Sequence, residues 1–227
     1  RNYKVCGTIW YQGESNAGRS HEYGALMSAL IDNWRELWEM PDMPFLLVQL
    51  PNFMEKEKHP SDCGWARIRE AQLNAFKTIP NTSLAVTYDV GEWNDIHPLN
   101  KKAVAQRLFL GARKLAYGEN VISSGPVYRS MKIDGDKIII TFEKTGSGLK
   151  SKDGPLKHFA IAGADRHFPP DLAQDVPHRA HAADQRFQRT FRIGAFLVGP
   201  QRCIQIRKRN SFISVQQKIL QQHAAFF

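Results

Sequence analysis

Along residues 1–118 the apolar positions switch repeatedly between two rhythms, short apolar runs and a spacing of three to four. The runs at residues 5–10, 45–50 and 84–88 have the length and composition of strands buried in a sheet. Between the first two, Tyr23, Leu26, Met27, Leu30, Ile31, Trp34, Leu37 and Trp38 recur on one helical face and predict an amphipathic helix. Residues 65–77 predict a second helix, and residues 100–117 a third, stopped by Gly118. Strands alternating with helices predict an α/β fold, a doubly wound parallel sheet that is incomplete in this chain. The polar stretch from Pro51 to Gly64 is long enough to be functional rather than a mere connector.

After Gly125-Pro126 the period becomes two. Residues 131–142 predict a hairpin turning at Asp134-Gly135-Asp136, followed by a loop over 146–154 and a short strand at 159–162. The expected organisation is an α/β domain over residues 1–120, a small β domain over 121–168 and a basic tail over 169–227. No internal repeat is evident.

Charge sharpens that last boundary. The chain of 227 residues carries a net charge of +9. Nine Lys and Arg against Asp171, Asp175 and Asp184 give the tail a surplus of six, and it contains no Glu, Tyr or Trp, whereas all five Trp precede it. Such a break fits a divergent terminal domain or, the preferred reading, sequence out of frame or wrongly joined after about Phe168. Arg207-Lys208-Arg209 is its only short basic cluster and has no recognition motif around it, so no nucleic-acid partner is expected. With 42% hydrophobic residues the chain can bury a core. No run approaches the length of a membrane span, so no membrane partner is expected either. Cys6, Cys63 and Cys203 lack the spacing of a disulfide framework or zinc site and read as structural thiols. The chain opens on Arg1-Asn2 without a leader, and the natural N-terminus is read as missing.

Two polar constellations follow predicted strands. Trp10-Tyr11-Gln12-Gly13-Glu14-Ser15-Asn16-Ala17 ends the first, and Asp95-Ile96-His97-Pro98, with Glu92 and Asn94 nearby, follows the third. Each has a plain structural explanation: a loop capped by Ser15 or Asn16, and a surface histidine. Together they meet the needs of acyl transfer. His97 can act as general base, a neighbouring carboxylate can orient it, and Gln12 can donate an N–H to a developing oxyanion. Gly13 allows close backbone approach. In an open parallel sheet, loops past the strand ends share one crevice.

These residues resemble the sialate O-acetylesterase group of the SGNH hydrolases. Gln12 to Asn16, Asp95 to Lys101, the stretch Trp65 to Gln72, and the segments 146–149 and 154–165 match that group in its own order, over about residues 5–168. The resemblance implies a flavodoxin-like three-layer core and a serine esterase releasing acetate from an O-acetylated sugar, sialic acid or a related glycan unit. It implies His97 as base, Gln12 in the oxyanion hole, and Gly13, Glu14 and Asn16 in the substrate loop. No cofactor and no metal are implied. The group works outside the cytoplasm or in digestive compartments: secreted, periplasmic or lysosomal.

The sequence departs from that pattern twice. The group's G-x-S nucleophile block has no counterpart in this chain, and the position three before His97 is Asn94, with Asp95 only two before. Asp95 is the best third member, and Asn94 a substitute. Gly13-Glu14-Ser15-Asn16-Ala17 also approaches a nucleophile elbow without its last glycine. The alternative from another class is a non-catalytic carbohydrate-binding fragment in which Trp10, Tyr11, Trp93 and His97 touch sugar.

Overall fold

The computed structural model describes residues 3–55, 63–134, 137–146 and 148–149, together with strand segments at 162–163, 178–180, 188–192, 204–208 and 211–215. The chain divides into two compact units, one comprising Arg1–Lys56 and Asp62–Ser124, the other Glu57–Ser61 and Gly125–Phe227.

The first unit is α/β. Strands β1 (Thr8–Trp10), β2 (Phe45–Val48) and β3 (Thr82–Ala85) form a parallel sheet in the order β1-β2-β3. Helix α1 (Ser20–Leu37) crosses from β1 to β2, α2 (Gly64–Thr78) from β2 to β3, and α3 (Lys101–Leu115) follows β3. Alternating side chains sort the helices onto two faces. Trp10 and Phe45 both pack on Trp34 of α1, whereas Leu46, Val48 and Ala85 join Val104 and Leu108 of α3. Thus α1 and α2 cover one face and α3 the other. All four residues of β2 are buried, as a strand covered on both sides requires.

Two expectations shift. β3 starts two residues earlier than its apolar run suggests, because the register pairs Thr82 with Phe45 and Leu84 with Leu47. Thr82 enters the core because its hydroxyl donates to the Ile79 carbonyl at 2.8 Å. The apolar face of α1 is narrower than its periodicity implies. Tyr23, Met27, Ile31 and Arg35 are buried, while Leu26 and Leu37 are exposed. Arg35 is inside because its guanidinium donates to the carbonyls of Met43 and Pro80.

In the second unit β4 (Val127–Asp134) and β5 (Lys137–Glu143) pair antiparallel, with Asp134 opposite Lys137. The hairpin is therefore longer than its predicted span. β5 continues to β8 (Gln188–Arg192) and β7 (His178–Ala180), while β6 (Ala162–Gly163), β10 (Ser211–Val215) and β9 (Ile204–Lys208) form a separate antiparallel sheet. Gly135 and Asp136 of the expected turn, most of the 146–154 loop, residues 159–161, Cys203 and the greater part of the tail lie outside the described residues. Cys6 and Cys63 are free thiols. Among the described residues no helix is long and apolar enough to cross a membrane, and no cluster of His, Cys, Asp or Glu could hold a metal.

Candidate active site

Because the three strands are parallel, their C-terminal ends lie on one sheet edge, with the β1 and β3 loops on either side of β2. Two neighbouring strand spacings place those loops about 10 Å apart.

After β1 the backbone passes through Gly13 at φ +146° and enters a short 3-10 helix, Glu14–Arg19. Neither Ser15 nor Asn16 caps it, since the N-cap position is Gly13 and the Asn16 main-chain N–H bonds to the Gly13 carbonyl at 2.9 Å. The Asn16 side chain serves Gln12 instead. Gln12 Nε2 donates to Asn16 Oδ1 at 2.7 Å, which holds the amide in one rotamer and leaves its second N–H available. The Gln12 carbonyl accepts from Gln72 Nε2 at 2.9 Å and from the Tyr23 hydroxyl at 3.1 Å. Gln72, fully buried on α2, also accepts the Leu50 N–H at 2.9 Å. One side chain thereby joins the ends of β1 and β2. Ser15 is exposed at the start of the 3-10 helix.

Glu14 bears on both neighbouring phenols. Burial is the larger cause that pushes Tyr11 and Tyr23 above the ordinary tyrosine range, and the charge of Glu14 adds to it in each. Both therefore stay neutral as hydrogen-bonding groups at physiological pH.

The loop after β3 is anchored at several points. Arg107 of α3 holds Asp89 through two bonds. The Met54 N–H bonds to the Trp93 carbonyl at 2.8 Å, and Gly91 packs so closely on Asn52 that no Cβ fits there. Asn100 caps α3 by accepting from the Ala103 N–H at 3.1 Å. Within this frame Asp95 Oδ1 accepts the His97 main-chain N–H at 2.8 Å and stands 3.9 Å from His97 Nδ1. The carboxylate thus fixes the turn beside the ring. His97 is 80% exposed. Asn94 and Trp93 are exposed as well, while Pro98 is buried. The Lys101 ammonium lies 5.8 Å from the Tyr11 ring centre, so the helix that follows His97 reaches the residue preceding Gln12.

Gln12 and Asn16 are brought together, as are Asp95 and His97. Two of the four aromatic or imidazole groups proposed for sugar binding are committed to packing, Trp10 on Trp34 and Tyr11 on the α3 core. Sequence reading singled out neither Gln72 nor Arg69 as site residues. The available signal was their position beside Trp65 and Ile68 on the buried face of α2. Arg69 stacks 4.4 Å over the Tyr88 ring, and burial pulls its guanidinium down to about 10.

Residues 1–113 match the family described as carbohydrate esterase, sialic acid-specific acetylesterase. The sialate O-acetylesterase of Homo sapiens is 37% identical over 150 residues, covering 58% of this chain and 28% of that protein. Its counterpart in Mus musculus is 36% identical over 151 residues, covering 59% and 28%. A carbohydrate acetylesterase from Xanthomonas citri, known from its crystal structure, is similar with a TM-score of 0.70 and 36% identity, covering 88% of this chain and 44% of that one. The chain therefore spans 28% of the length of the curated relatives it matches.

Proposed function

Since residues 1–113 of the chain belong to the sialic acid-specific acetylesterase family of carbohydrate esterases, we propose that it is part of an enzyme hydrolysing acetyl esters of a sugar. The substrate is O-acetylated sialic acid or a related glycan unit, and the products are acetate and the free hydroxyl. A serine from outside this chain attacks the acetyl carbonyl while His97 takes its proton. The tetrahedral intermediate collapses, the bond from carbonyl to sugar oxygen breaks, and the imidazolium returns the proton to the leaving oxygen. Water, deprotonated by His97, then releases acetate from the acyl-serine. Asp95 orients the histidine, and the free N–H of Gln12 meets the oxyanion. Gly13, Glu14 and Asn16 form the loop facing the substrate.

The observation that supports this reading best is the bond from Gln12 Nε2 to Asn16 Oδ1. It holds a side-chain donor at the same sheet edge as the His97 loop, where an oxyanion-hole amide is needed. In the full-length protein, His97→Ala should lower acetate release from an acetylated sugar by about 10²–10⁴-fold. Ser15→Ala should change it less than about twofold, since Ser15 has no part in the chemistry. Unchanged turnover in His97→Ala would sink the assignment, and abolished turnover in Ser15→Ala would move the nucleophile into this chain. Sugar binding without any acetate release would favour the binding-module alternative.

A further inference from the structure

The Gln12 carbonyl takes two donors, Gln72 Nε2 and the Tyr23 hydroxyl, from the two helices that cover the same face of the sheet. No peptide bond is cis. In a trans peptide the carbonyl and the following N–H point in opposite directions. The Gly13 N–H is therefore turned away from α1 and α2, towards the side where Tyr11 meets Lys101 and the start of α3. No acceptor among the described residues takes that N–H. Gly13 is buried, and a buried main-chain donor ordinarily has a partner.

The residue at this position cannot carry a side chain without undoing the arrangement. A Cβ would lie 2.9 Å from Gln72 Nε2, the atom that fixes the carbonyl, and φ +146° is a conformation that L-residues rarely adopt. Glycine here is thus required by the clamp as well as by the turn.

We infer that the Gly13 main-chain N–H is a second oxyanion donor beside the Gln12 side chain, with Gln72 and Tyr23 as positioning residues that set the plane of the Gln12–Gly13 peptide. The inference rests on the esterase reading above. Its ligand is the tetrahedral oxyanion of acetyl transfer, or a phosphonate that mimics it. One backbone carbonyl, gripped from behind, aims one backbone donor forward.

Two measurements on the full-length protein test it. Gln72→Glu keeps an oxygen to accept the Leu50 N–H but sets a carboxylate oxygen against the Gln12 carbonyl, which turns the peptide. The expected result is a fall in kcat of about 10²-fold with KM within about threefold. The ratio of variant to wild-type kcat should rise as pH falls, because a protonated carboxyl can donate to Gln12 again. Independently, in wild-type protein labelled with [15N]glycine, the Gly13 amide proton should move downfield when a methylphosphonate inhibitor occupies the site. This second measurement decides the matter if Gln72→Glu does not fold. A Gly13 resonance unmoved by the bound phosphonate overturns the inference. So does a folded Gln72→Glu enzyme with wild-type kcat, provided His97→Ala is inactive. If His97→Ala keeps wild-type turnover, the esterase reading itself falls.

Discussion

Arg107 grips Asp89 with both terminal nitrogens, at 2.6 and 2.7 Å, while Nη1 also donates to the Val86 carbonyl at 2.5 Å. Both side chains are largely buried. The pair joins α3 to the segment leaving β3, upstream of His97. Arg107→Leu should lower unfolding stability by about 2–3 kcal/mol, through lost charge-assisted bonds. Arg107→Lys should recover only part of that, because an ammonium cannot reproduce the two-pronged geometry. Thermal unfolding of the two variants against the wild type measures the difference, and an Arg107→Lys protein as stable as the wild type would mean the pair contributes only as a point charge.

Two helix glycines should respond with opposite signs. A Cβ on Gly24 in α1 would meet open space, so Gly24→Ala should stabilise by about 0.5–1 kcal/mol, as expected for replacing a helix-interior glycine with room for a methyl group. Gly111 in α3 lies against Ser83 of β3, where a Cβ would overlap the serine hydroxyl. Gly111→Ala should therefore destabilise by about 1–3 kcal/mol despite its better helix propensity. A stabilised Gly111→Ala in thermal melts would show that α3 can retreat from the sheet.

For the acid partner of His97, Asp95→Asn preserves an oxygen for the main-chain N–H but removes the charge within reach of the ring. It should reduce kcat by at least about 10²-fold while the unfolding midpoint stays near wild type. Asn94→Ala should stay within about threefold of wild-type kcat, consistent with its exposed position. The reverse ranking would assign the role to Asn94.

Arg69 supplies a pH test. Folding lowers its pKa to about 10 by burial, well below the ordinary arginine range, so the unfolded chain binds that proton more tightly than the folded one. Below about pH 10 the folded state bears the full burden of a desolvated cation. As pH rises through 10 that burden is relieved, and stability from this group increases. Arg69→Met removes the effect. The stability of the wild type relative to Arg69→Met should shift in favour of the wild type between pH 8 and pH 11, measured by denaturant unfolding. A difference that is flat with pH would mean that the guanidinium stays solvated.

The layout was legible wherever hydrophobic burial alone decides structure. β2 reads as an apolar run because helices cover it on both faces, and α2 and α3 announce themselves by period and stop signal. Polar residues in the interior were not legible, since their reason for being there is distant in sequence. Gln72 is separated from Gln12 by sixty positions, and Arg35 from Pro80 by forty-five. Hydropathy counts them as surface groups. The start of β3 was missed for a related cause: Thr82 is admitted to the core by a local bond to Ile79 that its apolar neighbours do not foretell. At the site, the strand–loop pattern pointed to Gln12, Gly13, Asn16, Asp95 and His97. The mutual service of Gln12 and Asn16 required the backbone path through Gly13.

The long connection after β2 begins between two fixed points. The Leu50 N–H is held by Gln72, and the Pro51 carbonyl accepts from Trp65 Nε1 at 2.7 Å. Both anchors come from α2, the helix in which the connection ends. The start of the connection is thus tied to the helix that ends it, and Leu50 and Pro51 are held by α2 itself. A longer closed loop costs little extra entropy, about 0.6 kcal/mol per doubling. An insertion between residues 56 and 62 should therefore leave the Gln12–Gly13 peptide where it is, since Gln72 holds that peptide and the Leu50 N–H together.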